Sequence, residues 1–185
     1  MSRPHRQTAG GVIYHALNRA NARATLFRTE RNYAAFEGLL AEALKHQPMR
    51  ILAYCVMPSH WRFRAFPVEE DAHFLAVARY VERNALTAAL VDRAEDWRWS
   101  SLWRRVRWDR RRVEWLTRWP LRPASLEAWL ALVNEPIQVK ELAAIRRCSQ
   151  RGTPYGSESW STQMARQLDL PHTLRPRGRP RREPP

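Results

Sequence analysis

Lysine is almost missing from this chain. Of 32 basic residues only Lys45 and Lys140 are lysines, and all the others are arginine. Acidic residues are scarce too: 18 Asp plus Glu leave a formal net charge of +14 over 185 residues. A high-GC coding background accounts for arginine in place of lysine, but less well for the sign of the balance. The surplus suits a polyanionic partner, most often nucleic acid, because the guanidinium fork matches phosphate oxygens and stacks on bases. Cysteine is down to two residues, Cys55 in an apolar run and Cys148 in a basic one. That excludes a disulfide framework or a zinc pattern and makes a reducing cytoplasm the expectation. No stretch reaches the ~18 apolar residues of a membrane span. The opening M-S-R-P-H-R-Q lacks the apolar core of a signal peptide. What is present is enough for one main domain: 44% of residues are hydrophobic.

Elements follow from periodicity and punctuation. Gly11 to Leu17 reads as a strand rich in β-branched and aromatic residues. Thr29 is an N-cap candidate for a helix carrying Tyr33, Phe36, Leu39, Leu40, Ala43 and Leu44, which Pro48 ends. Met49 to Met57 reads as a buried strand, and S-H-W-R-F-R-A-F begins another. Asp71 to Leu90 is helical, with Phe74, Val77, Ala78 and Val81 on one face and His73, Tyr80, Arg83 and Asn84 along a flank. Further helices are expected over Ser125 to Asn134, Val139 to Arg147 and Glu158 to Leu168. The tail R-P-R-G-R-P-R-R-E-P-P is low in complexity and is expected to be disordered alone. There is no internal repeat. The early order suits a small α/β sandwich of helices on an antiparallel sheet.

Four ordered stretches carry a resemblance. They are V-I-Y-H-A-L-N-R-A, then L-A-Y-C-V-M-P-S-H-W, then D-A-H-F-L-A-V-A-R-Y-V-E-R-N-A-L with D-W-R-W-S-S-L-W, and finally R-G-T-P-Y-G with T-L-R-P-R-G-R-P-R-R. Over almost the whole chain this resembles the REP-associated tyrosine transposases, a branch of the single-tyrosine HUH transposases. The resemblance implies a ferredoxin-like antiparallel sheet with packed helices over residues 1–120, a helical extension over 121–170 and a basic tail over 171–185. It implies cleavage and rejoining of hairpin-bearing single-stranded DNA, with Mg²⁺ or Mn²⁺ as cofactor, in a bacterial cytoplasm at the nucleoid. By the same resemblance Tyr80 is the nucleophile, His60 the first metal histidine and Asn84 a support on the tyrosine helix. A free phenol ionises near ~10, so a tyrosine nucleophile needs positive charge or metal nearby, and Arg79 and Arg83 are the candidates. Two histidines one residue apart on a strand share a face and can bind one ion.

Here the chain departs from the pattern. Position 62, where the second metal histidine is expected, is Arg62. R-F-R-A-F-P-V resembles a segment that lies a few dozen residues further along in the family. The departure reads as an internal deletion joining Trp61 to Arg62. It would remove the second histidine, the rest of that strand and the helix after it. One imidazole holds a hard divalent ion poorly. A non-enzymatic DNA-binding remnant of a transposase is therefore the rival reading. His73 stands as a substitute ligand.

The remaining candidates each have two readings. His15 is a structural histidine or a ligand. Trp97, Trp99 and Trp103, interleaved with Arg98, Arg104 and Arg105, are core anchors or a stacking platform for single strands. Arg107, Arg110, Arg111 and Arg112 are a solvated face or phosphate contacts. Arg177 and Arg179 lie in an R-G-R-P similar to an AT-hook core, which fits a narrow minor groove. Arg19, Arg79, Arg83, Arg104, Arg105, Arg177 and Arg179 are the expected DNA-contacting residues. An RNA-binding protein would share the charge and aromatics, but the chain has no RNP-like aromatic strand.

Overall fold

The computed structural model describes residues 9–17, 25–58, 64–107 and 116–175. Among them the architecture is mixed α/β: a two-stranded antiparallel sheet and eight α-helices. Strand β1 (Ile13–Leu17) pairs with β2 (Arg64–Val68), with His15 opposite Phe66 and Leu17 opposite Arg64. Pro67 is tolerated in β2 because its missing N–H lies on the side away from β1. Its carbonyl on that side accepts from Tyr155 N at 2.8 Å.

The helices begin where the chain supplies caps. Helix α1 (Glu30–His46) follows Thr29, and Asn32 Oδ1 accepts from the Thr29 amide at 3.2 Å. Helix α2 (Ala72–Glu82) starts at Asp71, whose carboxylate accepts from His73 N at 2.7 Å, and runs on through Arg83 into the short α3 (Asn84–Thr87). After a 3-10 turn at Ala94–Asp96 comes α4 (Ser101–Arg107), within the Trp/Arg segment. Ser125 caps α5 (Leu126–Asn134), and α6 (Val139–Arg151) ends on Gly152, whose φ of 74° needs no Cβ to be accommodated. Ser157 caps α7 (Glu158–Gln167), and Pro171 opens α8 (Pro171–Leu174).

Residues 49–57 are extended, as their apolar run suggests, but they do not join the sheet. They make isolated bridges instead, Ile51 to Leu116 and Cys55 to Ser100. The backbone of 54–56 bonds the start of α4, through Val56 N to Trp99 O at 2.8 Å and Ser101 N to Tyr54 O at 2.9 Å. The sheet among the described residues is thus smaller than a ferredoxin-like one.

Two cores result. Helix α2 packs on β2, α5 and α6, burying Phe66, Phe74, Val77, Leu102, Trp129, Val133 and Ile145 around an edge-to-face Trp119–Trp129 pair with centroids 4.9 Å apart. A separate aromatic cluster stacks Tyr33 between Phe27 and Trp99, each 5.0 Å away. Trp97 joins it and donates its indole N–H to Val56 O at 3.0 Å. Trp97 and Trp99 of the Trp/Arg segment therefore act as core anchors. No helix among the described residues is long and apolar enough to cross a membrane.

Candidate functional site

Tyr80 lies near the C-terminal end of α2, half-buried, on the side that meets β1. Its ring stands edge-on to His15, with centroids 5.9 Å apart and planes at 76°. No hydrogen bond engages the Tyr80 hydroxyl among the described residues. His15 is only 7% exposed and also contacts the ring of its cross-strand partner Phe66 at 5.0 Å. Its Nε2 is buried without a hydrogen-bond partner. Burial lowers its pKa from 6.5 to about 4, because an imidazolium there would lose its hydration with nothing in return. The ring is therefore neutral near pH 7, and it sits beside the phenol.

The arginines that flank Tyr80 in sequence turn elsewhere. Arg79 is buried and donates from Nη2 to Glu135 O at 3.0 Å and Pro136 O at 3.2 Å, with Glu141 at 3.8 Å from Nη1. Arg83 donates from Nη1 to Val133 O at 2.6 Å. Both side chains thus cap the C-terminal end of α5. Cations are favoured there by unsatisfied carbonyls and the negative end of the helix dipole. Asn84 is half-buried at the start of α3, one turn beyond Tyr80.

Arg104 and Arg105 of α4 are also committed to protein partners. Arg104, 4% exposed, forms a buried ion pair with Glu37, and its Nε donates to Tyr54 Oη at 2.7 Å. Arg105 donates to Leu52 O, lies 4.6 Å over the Trp119 ring and has Glu82 at 3.6 Å. Glu82 is fully buried and accepts from Ser101 Oγ and from Trp129 Nε1 at 2.8 Å. Burial pushes its carboxyl up, against the opposing pull of Arg105 and these donors. Exposed cations among the described residues include Arg107, Arg118, Arg122, Arg146, Arg147 and Arg166.

One group of metal-ligand type occurs among the described residues. Glu69, Asp71 and His73 meet at the β2–α2 corner, with their donor atoms within 4.8 Å of one another. His73 Nδ1 lies 2.8 Å from Asp71 Oδ1 and 3.7 Å from Glu69 Oε2. Two carboxylates and an imidazole are a donor set that suits Mn²⁺. The group is nonetheless already satisfied. Glu69 accepts from the Ser157 amide at 2.6 Å and from its hydroxyl at 3.2 Å, and Asp71 caps α2. His73 also stands edge-on to Tyr155, with centroids 5.1 Å apart. The arrangement fits a helix cap tied to the start of α7 better than an ion cage. Only His73 of the three was readable as a ligand from sequence. Glu69 and Asp71 join it through the turn between β2 and α2, which no spacing rule marks.

Of the residues the resemblance singles out, Tyr80 and Asn84 share one flank of the α2–α3 region, and Arg79, Arg83, Arg104 and Arg105 bond protein groups. His60, Arg19, Arg177 and Arg179 lie outside the described residues, as do Trp61, Arg62, Arg110, Arg111 and Arg112. His15 was readable as a strand histidine, but its contact with Tyr80 was not. Strand β1 and helix α2 meet only through the fold. The chain matches no family model, no curated protein and no solved structure.

Proposed function

We propose that the chain is a transposase-like protein that binds hairpin-bearing single-stranded DNA and cleaves and rejoins strands through Tyr80. The observation that carries this reading is the Tyr80 phenol itself. It stands at the edge of the core beside a neutral imidazole, with no group among the described residues bonded to its oxygen. Its oxygen is not among the buried unpartnered atoms, so it is open to solvent and to an approaching phosphate. In the reaction the phenol oxygen forms a bond to phosphorus, the bond from phosphorus to a sugar oxygen breaks, and the proton released by the phenol balances the one taken up by the sugar hydroxyl. The phosphotyrosine link keeps the diester energy for rejoining. A divalent ion would polarise the phosphate when bound, with His60 as one ligand by resemblance. Arg79, Arg83, Arg104 and Arg105 are structural, so contact with DNA falls to the exposed cations.

A second reading is favoured by one feature of the chain, Arg62 in place of the second metal histidine. It makes the protein a DNA-binding relative of such transposases without strand transfer. One experiment separates the two. The full chain is incubated with labelled hairpin-bearing single-stranded DNA and Mn²⁺, then run on a denaturing gel. A covalent adduct that disappears in Tyr80→Phe supports strand transfer. Salt-dependent binding with no adduct supports the second reading. Absence of any binding refutes both.

A further inference from the structure

Helix α6 turns a cationic face to solvent. Its inner side is fixed: Ile145, Cys148 and Ser149 are buried, the helix packs on α2 and β2, and Gly152 closes its last turn. Its single acidic residue, Glu141, is half-buried and stands 3.8 Å from Arg79. The exposed residues include Lys140, Ala143, Arg146, Arg147 and Gln150. At 3.6 residues per turn, Lys140, Ala143 and Arg147 follow one another along one side of the helix, with Arg146 on the flank. Arg151 falls on the same line four residues further on. Its guanidinium bonds Arg175 O, which brings that exposed residue beside the end of α6.

The length of this row decides what it can meet. From Lys140 to Arg151 a rise of ~1.5 Å per residue gives roughly 16 Å. One strand of B-form DNA carries a phosphate every ~3.4 Å of axis, so a row of this length runs beside several of them. Ala143 offers only a methyl group between the longer side chains, which leaves room for a sugar-phosphate backbone. A packed helix holds its cations at fixed spacing, and that suits the regular backbone of a paired stem better than a flexible single strand. Helix α6 also has no aromatic residue on which unpaired bases would stack. We propose that the exposed face of α6, through Lys140, Arg146 and Arg147, docks on the phosphate backbone of the paired stem of hairpin DNA without reading its sequence. The proposal rests on the hairpin-DNA reading above and adds to it the surface that holds the stem.

The test is equilibrium binding of the full chain to a hairpin with a ~10-base-pair stem and to an unpaired strand of the same length, over ~0.05–0.3 M salt. Divalent ion is left out so that strand transfer does not enter. Lys140→Gln, Arg146→Gln and Arg147→Gln are combined, and the thermal unfolding midpoint is checked in parallel. Each lost phosphate contact takes ~0.9 from the salt slope, so the slope should fall by ~2–3. Hairpin affinity at ~0.1 M salt should be at least about tenfold weaker, at an unchanged midpoint. A control of equal charge around α1, Arg28→Gln, Arg31→Gln and Lys45→Gln, removes exposed cations elsewhere and should cost less than about threefold. The wild type should prefer the hairpin to the unpaired strand. The proposal is overturned if the wild type does not bind the hairpin, or if the α6 variant binds it like the wild type. It is overturned equally if the α1 control loses as much, or if the unpaired strand binds as tightly as the hairpin. A Tyr80-dependent adduct in Mn²⁺ alongside an unaffected α6 variant leaves strand transfer standing and removes only this surface, and the expected binding loss without any adduct does the reverse.

Discussion

His15 makes a quantitative demand on the protein. Its imidazole is buried with Nε2 unpartnered, and its pKa falls from 6.5 to about 4. The folded state therefore refuses a proton that the unfolded chain accepts between those two values. The group's pKa is depressed on folding, so between them the unfolded state holds more protons, and stability falls as pH falls. From about pH 7.5 to about pH 5 the loss is roughly 2 kcal/mol, rising to about 3 kcal/mol below the folded pKa. That is a large share of a typical domain stability of ~5–15 kcal/mol. The assay is urea unfolding at both pH values for the wild type and His15→Phe, which keeps a ring against Phe66 and Tyr80. The wild type should lose about 2 kcal/mol more than the variant over this range. Equal losses in the two proteins, or an NMR titration of His15 near its ordinary value, would falsify the burial argument.

Four further outcomes follow from the geometry. Glu37→Ala leaves Arg104 buried without its partner and should cost about 3 kcal/mol or more in chemical unfolding, whereas Glu37→Leu with Arg104→Met should recover much of it; a double variant as unstable as the single one refutes the pairing. Asp169→Gly should raise stability by up to ~1 kcal/mol, because glycine accepts φ 55° without strain, and Asp169→Val should lower it by ~1–2 kcal/mol. Ser125→Ala removes the oxygen that accepts from Ala128 N at 3.1 Å and should cost ~1 kcal/mol in thermal unfolding. Tyr80→Phe should change stability by no more than ~0.5 kcal/mol while removing any covalent DNA adduct; a large destabilisation would show that the hydroxyl is structural.

The helices were legible because their ends are written in local chemistry. Thr29, Asp71, Ser125 and Ser157 stand at the N-caps of α1, α2, α5 and α7, but α6 runs past the expected end at Arg147 to Arg151, where Gly152 closes it, and α8 lies in the stretch assigned to the tail. Strand β1 was legible from its β-branched and aromatic run. The segment 49–57 was misassigned to the sheet because apolarity fixes extension but not the partner. Its bonds go to 99–101 and to Leu116 and Thr117, chosen by the tertiary fold. Helix α4 had no reading in the sequence, because the start that fixes it, Ser100 Oγ accepting from Trp103 N at 3.1 Å, is hidden among aromatics. At the candidate site, the flank shared by Tyr80 and Asn84 followed from helical spacing. The approach of His15 to Tyr80 depended on how β1 lies under α2.

The arginines show why composition overstated one kind of surface. Thirty arginines read as a nucleic-acid footprint only if they face outward. Arg79 and Arg83 instead cap α5, Arg104 neutralises Glu37, and Arg105 spans Leu52, Trp119 and Glu82. Arg79, Arg104 and Arg105 spread their donors over two or more groups from a planar fork, and Arg105 also stacks on Trp119, which a compact ammonium does not do. In a charge-removal scan these four positions would look like DNA contacts, because unfolding also abolishes binding. They differ in what accompanies the loss. Replacing one of these four arginines should lower the unfolding midpoint, whereas replacing an exposed one such as Arg146, Arg147 or Arg166 should weaken the proposed DNA binding and flatten its salt dependence at unchanged stability. The positive charge thus divides into cations that hold the helices together and cations that face solvent, and only the second set can carry the proposed affinity for DNA.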